Sequence, residues 1–213
     1  MPENVSRWSV QGCINKMKAM QVISLTLLVV LVTSAQVLKS GKCPEPAVQA
    51  NFDASKYLGK WYGIKRLQNS FQKSKCSTAL YSLKSYGVLR VLNRGLLDDG
   101  NITSVVGTAT VKDPSEPAKL EVSFSQHSPP GPYWVLSTDY EGHSLVYSCK
   151  DNGLVSRELV WILSRGPTLP EETLQELEGI LSSIGVDVNK MLPNNQNETY
   201  CSPMYEQAET LPL

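Results

Sequence analysis

The sequence predicts an all-β fold: an eight-stranded antiparallel up-and-down barrel with one C-terminal α-helix packed outside. Three observations predict it. Short β-prone runs recur about every 10–14 residues between turn signals, which is the rhythm of hairpin-linked strands. No helix alternates with them, so a parallel βαβ sheet is excluded. A single amphipathic helix comes only after the last strand, and eight strands are enough to close a barrel around one small ligand.

The chain has 213 residues, 41% of them apolar and 19% charged, a globular composition sized for one domain or a small pair. Its N-terminus reads as a leader. Lys16 and Lys18 precede the apolar run Val22–Val32, and Thr33-Ser34-Ala35 supplies small residues for cleavage before Gln36; this is the pattern of a secretory signal peptide. The run is too short to span a bilayer comfortably. We therefore expect a leader over 1–35, a barrel domain over 36–202, a flexible tail over 203–213, and no transmembrane segment in the mature chain.

After the leader, Lys42-Cys43-Pro44-Glu45-Pro46 reads as an extended arm, because two prolines withhold backbone donors. The first strand is expected over Trp61–Leu67, with Thr78–Lys84 and Val88–Leu96 following on either side of Ser85-Tyr86-Gly87. Asp98-Asp99-Gly100-Asn101 is a hairpin turn before Ile102–Val111. Asp113-Pro114 and Pro117 separate that strand from Lys119–Phe124. The stiff Ser128–Pro132 loop precedes Tyr133–Asp139, and Ser144–Cys149 and Leu154–Ser164 complete the eight. The helix has Thr168 as its expected cap, Glu171 completing a capping box and Pro170 in the first turn. Leu174, Leu177, Ile180, Leu181 and Ile184 make its apolar stripe, and Gly185 its left-handed stop. The tail from Met191 is polar and expected to be held only by Cys201.

Basic and acidic residues number twenty each. The leader removes Arg7, Lys16 and Lys18 against Glu3, so the mature chain carries two more acidic than basic residues. Without a basic patch there is no electrostatic case for nucleic acid. Cys13 leaves with the leader, and Cys43, Cys76, Cys149 and Cys201 remain as an even set in a chain expected to be secreted, hence two disulfides. Four cysteines allow three pairings, and spacing does not choose among them. It does argue against an immunoglobulin-type sandwich, since Cys76 and Cys149 lie too far apart for its inter-sheet bridge. No C-x-x-C pair points to a metal, and no cofactor motif is present. Asn101-Ile102-Thr103 and Asn197-Glu198-Thr199 are glycosylation acceptors.

Three motifs in register then point to a family. Asn51-Phe52-Asp53 with Tyr57-Leu58-Gly59-Lys60-Trp61-Tyr62 resembles the first signature of the lipocalins; Thr138-Asp139-Tyr140 resembles their second and Arg165 their third. The resemblance covers about residues 42–202. It implies pairing of Cys43 with Cys149 and of Cys76 with Cys201. It also implies structural roles at the closed end of the barrel for Gly59, Trp61, Thr138, Asp139, Tyr140 and Arg165, with the guanidinium lying across the indole.

Further stretches, among them Glu116–Val122, Pro132-Tyr133-Trp134 and Ile184–Val188, resemble a branch of the family that carries fatty acids such as arachidonate and steroids such as progesterone. That branch places ligand contacts at Trp161 and Tyr81. Alternation agrees for Trp161, which shares a face with Leu163 and Arg165 and would stand about 13 Å up the wall from Arg165; it does not decide the direction of Trp134. Phe71 and the Ser128–Pro132 loop are expected to frame the mouth. A bilin or a retinoid is the alternative cargo, and a protein bound through the open-end loops the alternative function. Lipoprotein particles or a cell-surface receptor are further implied partners, although polar Gln126-His127-Ser128 stands where an apolar loop would serve such docking. Catalysis is not expected: His127 and His143 are the only near-neutral bases, and Gly142-His143-Ser144 lacks the second glycine of a nucleophile elbow. Met191 and Met204 are minor candidates for thioether oxidation.

Overall fold

A computed structural model describes residues 38–126 and 129–206. The expected leader, His127, Ser128 and residues 207–213 lie outside the described residues. Eight long strands follow one another as hairpins: β2 (Gly59–Leu67), β3 (Lys75–Ser85), β4 (Val88–Leu96), β5 (Ile102–Val111), β6 (Lys119–Ser123), β7 (Gly131–Thr138), β8 (His143–Asp151) and β9 (Val155–Ser164). Each pairs antiparallel with the next, and β9 returns to pair with β2, which closes the barrel. Closure removes the open edges that an eight-stranded sheet would otherwise expose. The expected strands are all present; β4 and β5 match end to end, and the others shift by one to three residues at an end.

Alternation divides the apolar residues into two sets. One fills the interior, among them Trp61, Tyr81, Val91, Val135, Val146 and Leu163. The other, with Leu136, Leu145, Tyr147, Val160 and Ile162, faces outward and is covered by helix α1 (Glu171–Ser183) through Leu177 and Leu181. Trp134 belongs to this outer set, under Lys119. The helix ends as expected. Gly185 has φ +79°, its N–H donates to Ser182 O, and Val186 N–H donates to Leu181 O. Two of the helix's orphan carbonyls are thereby satisfied. Its start differs. Pro170 occupies the cap position and no side chain caps it. Thr168 lies two residues too early, and its carbonyl accepts from Ser164 Oγ instead.

Two short strands were not foreseen. β1 (Leu38–Ser40) pairs with β9, and β10 (Met191–Pro193) pairs with the far side of β2. β1 has a chemical purpose. Glu158 of β9 is 3% exposed on the outer face, and a buried carboxylate requires partners. Tyr147 Oη donates to it at 2.9 Å, and Lys39 of β1 approaches at 3.6 Å while also donating to Gly185 O at the helix terminus.

The tail is also held more firmly than expected. Asn194 Nδ2 and Gln196 Nε2 both donate to Gly63 O, at 3.1 and 2.9 Å. Residues 202–206, placed almost wholly in a flexible tail from sequence, form helix α2 (Ser202–Glu206). Its Met204 is buried against Cys76, Cys201 and Leu96. Met191 is buried as well, so neither thioether is presented to an oxidant.

A cavity between a sealed floor and a stapled mouth

The floor lies where β2 begins and β9 ends. Trp61 is 0% exposed, and its Nε1 donates to Tyr57 O at 3.0 Å. The Arg165 guanidinium carbon sits 3.8 Å from the Trp61 ring centroid, a cation–π distance. The same guanidinium donates to three backbone carbonyls, Tyr140 O at 2.8 Å, Lys60 O at 2.9 Å and Lys56 O at 3.1 Å. Partial burial lowers the Arg165 pKa. Gly59 has φ +95°, and a Cβ there would come within 3.2 Å of Arg165 Nη1, so glycine serves both backbone and approach.

Thr138, Asp139 and Tyr140 tie the β7–β8 turn to this floor. Thr138 Oγ1 donates to His143 O and accepts from Tyr140 N. Asp139 Oδ1 accepts the backbone N–H groups of Glu141, Gly142 and His143. Burial works to raise the Asp139 pKa, but those N–H groups and the His143 charge outweigh it and hold it below the ordinary value. Tyr140, at φ +68°, accepts Asp53 N–H on its hydroxyl. The six residues given structural roles by the resemblance thus meet at one end.

The mouth is stapled covalently. Cys43 bonds Cys149 near the end of β8, and Cys76 at the start of β3 bonds Cys201 of the tail. Their Cα atoms are 5.7 Å apart in each pair, within the ordinary span. This is the pairing that the resemblance implied.

Between floor and mouth lies a cavity of about 640 Å³, within the range of small-molecule sites. Trp161 and Tyr81 both line it, with Val91, Ala109, Val122 and Leu163 among the apolar wall residues. Trp161 Nε1 donates to Oε1 of Gln72, on the loop between β2 and β3, at 2.9 Å. Phe71 of that loop lines the opening while 65% exposed, and Pro129, Gly131 and Pro132 line it from the other side.

Sequence reasoning missed three lining residues that carry chemistry: Gln72, Arg94 and Tyr133. Tyr133 Oη stands 2.7 Å from Tyr81 Oη and 3.1 Å from Tyr57 Oη, and Tyr57 Oη is 2.8 Å from Ser144 Oγ. Burial raises the pKa of all three phenols, that of Tyr57 to about 12, so they are neutral at physiological pH. The inward parity of Tyr81 and Tyr133 was a usable signal; the position of Tyr57, in a loop, was not. Asn101 and Asn197, the residues expected to be glycosylated, are both exposed and lie outside the strands and helices.

An eight-stranded barrel sealed at one end, hollow behind the seal and open at the other has room for one small apolar molecule inside. Residues 52–196 match the model of the lipocalin-like domain, and the chain belongs to the lipocalin family. It is 50% identical to apolipoprotein D of Mus musculus over 157 residues, covering 73% of this chain and 83% of that protein. Among solved structures, lobster apocrustacyanin A1 is similar at a TM-score of 0.67 and 24% identity, over 76% of this chain and 92% of its own. Insecticyanin from the tobacco hornworm Manduca sexta is similar at 0.66 and 23%, over 78% and 92%. Among the described residues no helix is long and apolar enough to cross a membrane.

Proposed function

We infer that the protein is a secreted, glycosylated carrier that takes one small apolar lipid into the barrel, with Trp161 and Tyr81 as ligand contacts. Fatty acids such as arachidonate and steroids such as progesterone are the cargo favoured by the similarity to apolipoprotein D. The observation that carries this reading is the cavity of about 640 Å³ with an indole on its wall. Its driving force is removal of apolar area from water, at roughly 25 cal/mol per Å². An indole offers a flat apolar face to a chain or a sterol ring. Secretion is supported by the leader pattern and by two disulfides, which persist in oxidising compartments. Asn101 and Asn197 would carry the glycans.

Titration of purified, delipidated protein with arachidonate and with progesterone, followed by tryptophan emission, tests the reading. Saturable quenching that is lost in Trp161→Phe is expected, with direct binding of the variant checked by calorimetry. No binding of either lipid, or full affinity in Trp161→Phe, overturns the assignment of the cavity. The second reading, a protein bound through the open-end loops, rests on exposed Phe71 and Leu154 at the mouth. It gains ground if apolar ligands fail.

A further inference from the structure

The four hydroxyls at the base of the cavity form one chain: Ser144, Tyr57, Tyr133, Tyr81. Resting on the carrier reading, the geometry points to a relay that donates one hydrogen into the cavity at Tyr81 and selects lipids carrying a neutral acceptor oxygen at their buried end.

The argument is a count of hydrogens. Four hydroxyls own four hydrogens, and the chain has three links. Three hydrogens fill the links, and the fourth is left over on one hydroxyl. On Tyr57 it would be sealed in the wall, and on Tyr133 the phenol oxygen would have to accept from both neighbours at once, so the choice lies between the two termini. At the Ser144 terminus it would be sealed in the wall, since Ser144 is fully buried and, among the described residues, its hydroxyl is bonded to Tyr57 alone. A buried donor without a partner is costly. At the Tyr81 terminus it faces the cavity that Tyr81 lines, where a ligand oxygen can accept it. The favoured direction is therefore Ser144 to Tyr57 to Tyr133 to Tyr81 to ligand. Burial holds the phenols neutral, so the relay offers a hydrogen but no charge.

That distinction fixes which oxygen goes down. A carboxylate at the base would meet no cation on the cavity wall there, since Arg165 lies beneath the Trp61 ring with its donors on three backbone carbonyls, and burying it there is expensive. Among the described residues the one cation lining the cavity is Arg94, whose strand partner is Thr78; Tyr81 pairs with Val91, three residues nearer the floor. A fatty acid accordingly enters tail first and keeps its carboxylate toward the mouth. A lipid bearing a hydroxyl, ether or carbonyl near its far end satisfies Tyr81 in addition. The selected class is lipids with a neutral oxygen at the buried end, such as terminally hydroxylated fatty acids.

The test compares dodecanoate, tetradecanoate and hexadecanoate with the alcohol of each that keeps its carboxylate and carries a hydroxyl on the last carbon, by calorimetry on delipidated protein. The readout is the affinity of each alcohol divided by that of its parent acid. At the chain length that reaches the base, Tyr81→Phe is expected to lower this ratio about tenfold, the cost of leaving a buried hydroxyl unpaired. Tyr133→Phe should lower it about threefold by removing the donor that polarises Tyr81. Binding of the parent acids reports that each variant is folded. An unchanged ratio at every length overturns the relay and leaves the carrier reading standing. Weakening of the parent acids to the same extent by Tyr81→Phe would put the carboxylate at the base and overturn it too. Failure of wild-type protein to bind any acid or alcohol would instead refute the carrier reading.

Discussion

The two ends of the barrel solve the same problem by different means. The floor is held by side chains: Arg165 spans three backbone carbonyls and the Trp61 ring, and Asp139 gathers three N–H groups of one turn. The mouth cannot be plugged in this way and remain an entrance. It is held from outside by Cys43–Cys149 and Cys76–Cys201, which pin the arm and the tail to strands without filling the cavity. The two tryptophans repeat the contrast. Trp61 donates to a backbone carbonyl and is sealed. Trp161 donates to a side chain on a mouth loop and faces the cavity.

The largest effect should come from removing the keystone of the floor. Arg165→Ala leaves three carbonyls without their donor and uncovers the indole. We expect a loss of about 4 kcal/mol of unfolding free energy, from charged hydrogen bonds and the cation–π contact together. Denaturant titration of the oxidised protein measures it. A loss below about 1 kcal/mol would mean that the floor does not depend on its keystone. At the mouth, the paired Cys76→Ser and Cys201→Ser variant should lose about 3 kcal/mol, because the bridge closes a long loop of the unfolded chain. Here the contrast predicts more than a magnitude. Arg165→Ala should leave the disulfides intact to thiol reagents, whereas the cysteine variant should free the tail and expose Met204 to oxidation, with the Trp61 environment unchanged in near-ultraviolet dichroism.

Alkaline pH probes the layer between the two ends. The Tyr57 pKa is raised from its ordinary value near 10 to about 12, chiefly by burial. A group whose folded pKa is raised favours folding below the unfolded pKa, and this contribution is lost as pH climbs through the folded one. Stability should therefore fall between pH 10 and about 12, by about 2–3 kcal/mol for Tyr57. Tyr81 and Tyr133 shift in the same direction and extend the loss to higher pH. Tyrosinate absorbance against pH, compared with Tyr57→Phe, follows it; an unchanged slope in the variant would remove Tyr57 from the buried set.

How much of this the sequence carried depends on the range of the interaction. Strand periodicity and hairpin turns are local, so the eight strands are legible, and Val88–Leu96 and Ile102–Val111 match end to end. Glycine at a helix stop is also local, and Gly185 behaves as expected. The helix start misled because Thr168 satisfies the pattern of a capping box, while the chain spends the Thr168 carbonyl on Ser164. β1 was invisible because its reason, a buried Glu158, lies far along the sequence from Lys39. The tyrosine chain draws on a loop and on β3, β7 and β8, and no pattern within one segment announces such a meeting.

The smallest expected effect is the sharpest test of the contrast between the ends. Trp61 and Trp161 each give their indole N–H to an oxygen at about the same distance, 3.0 and 2.9 Å. What differs is the reserve behind the bond. The Trp61 indole is sealed from water, so no solvent can replace a lost partner. Trp161 is only partly buried and stands beside the opening, where water can take over from Gln72. Gln72→Ala should therefore cost about 0.5 kcal/mol or less in stability, because the freed N–H is rehydrated rather than orphaned. Its consequence should fall on ligand exchange: with the loop no longer tied to the indole, dissociation of bound arachidonate in stopped-flow should quicken severalfold. If Gln72→Ala instead destabilised the fold by more than about 2 kcal/mol, the mouth would be as rigidly built as the floor, and the division of labour between the two ends would fail.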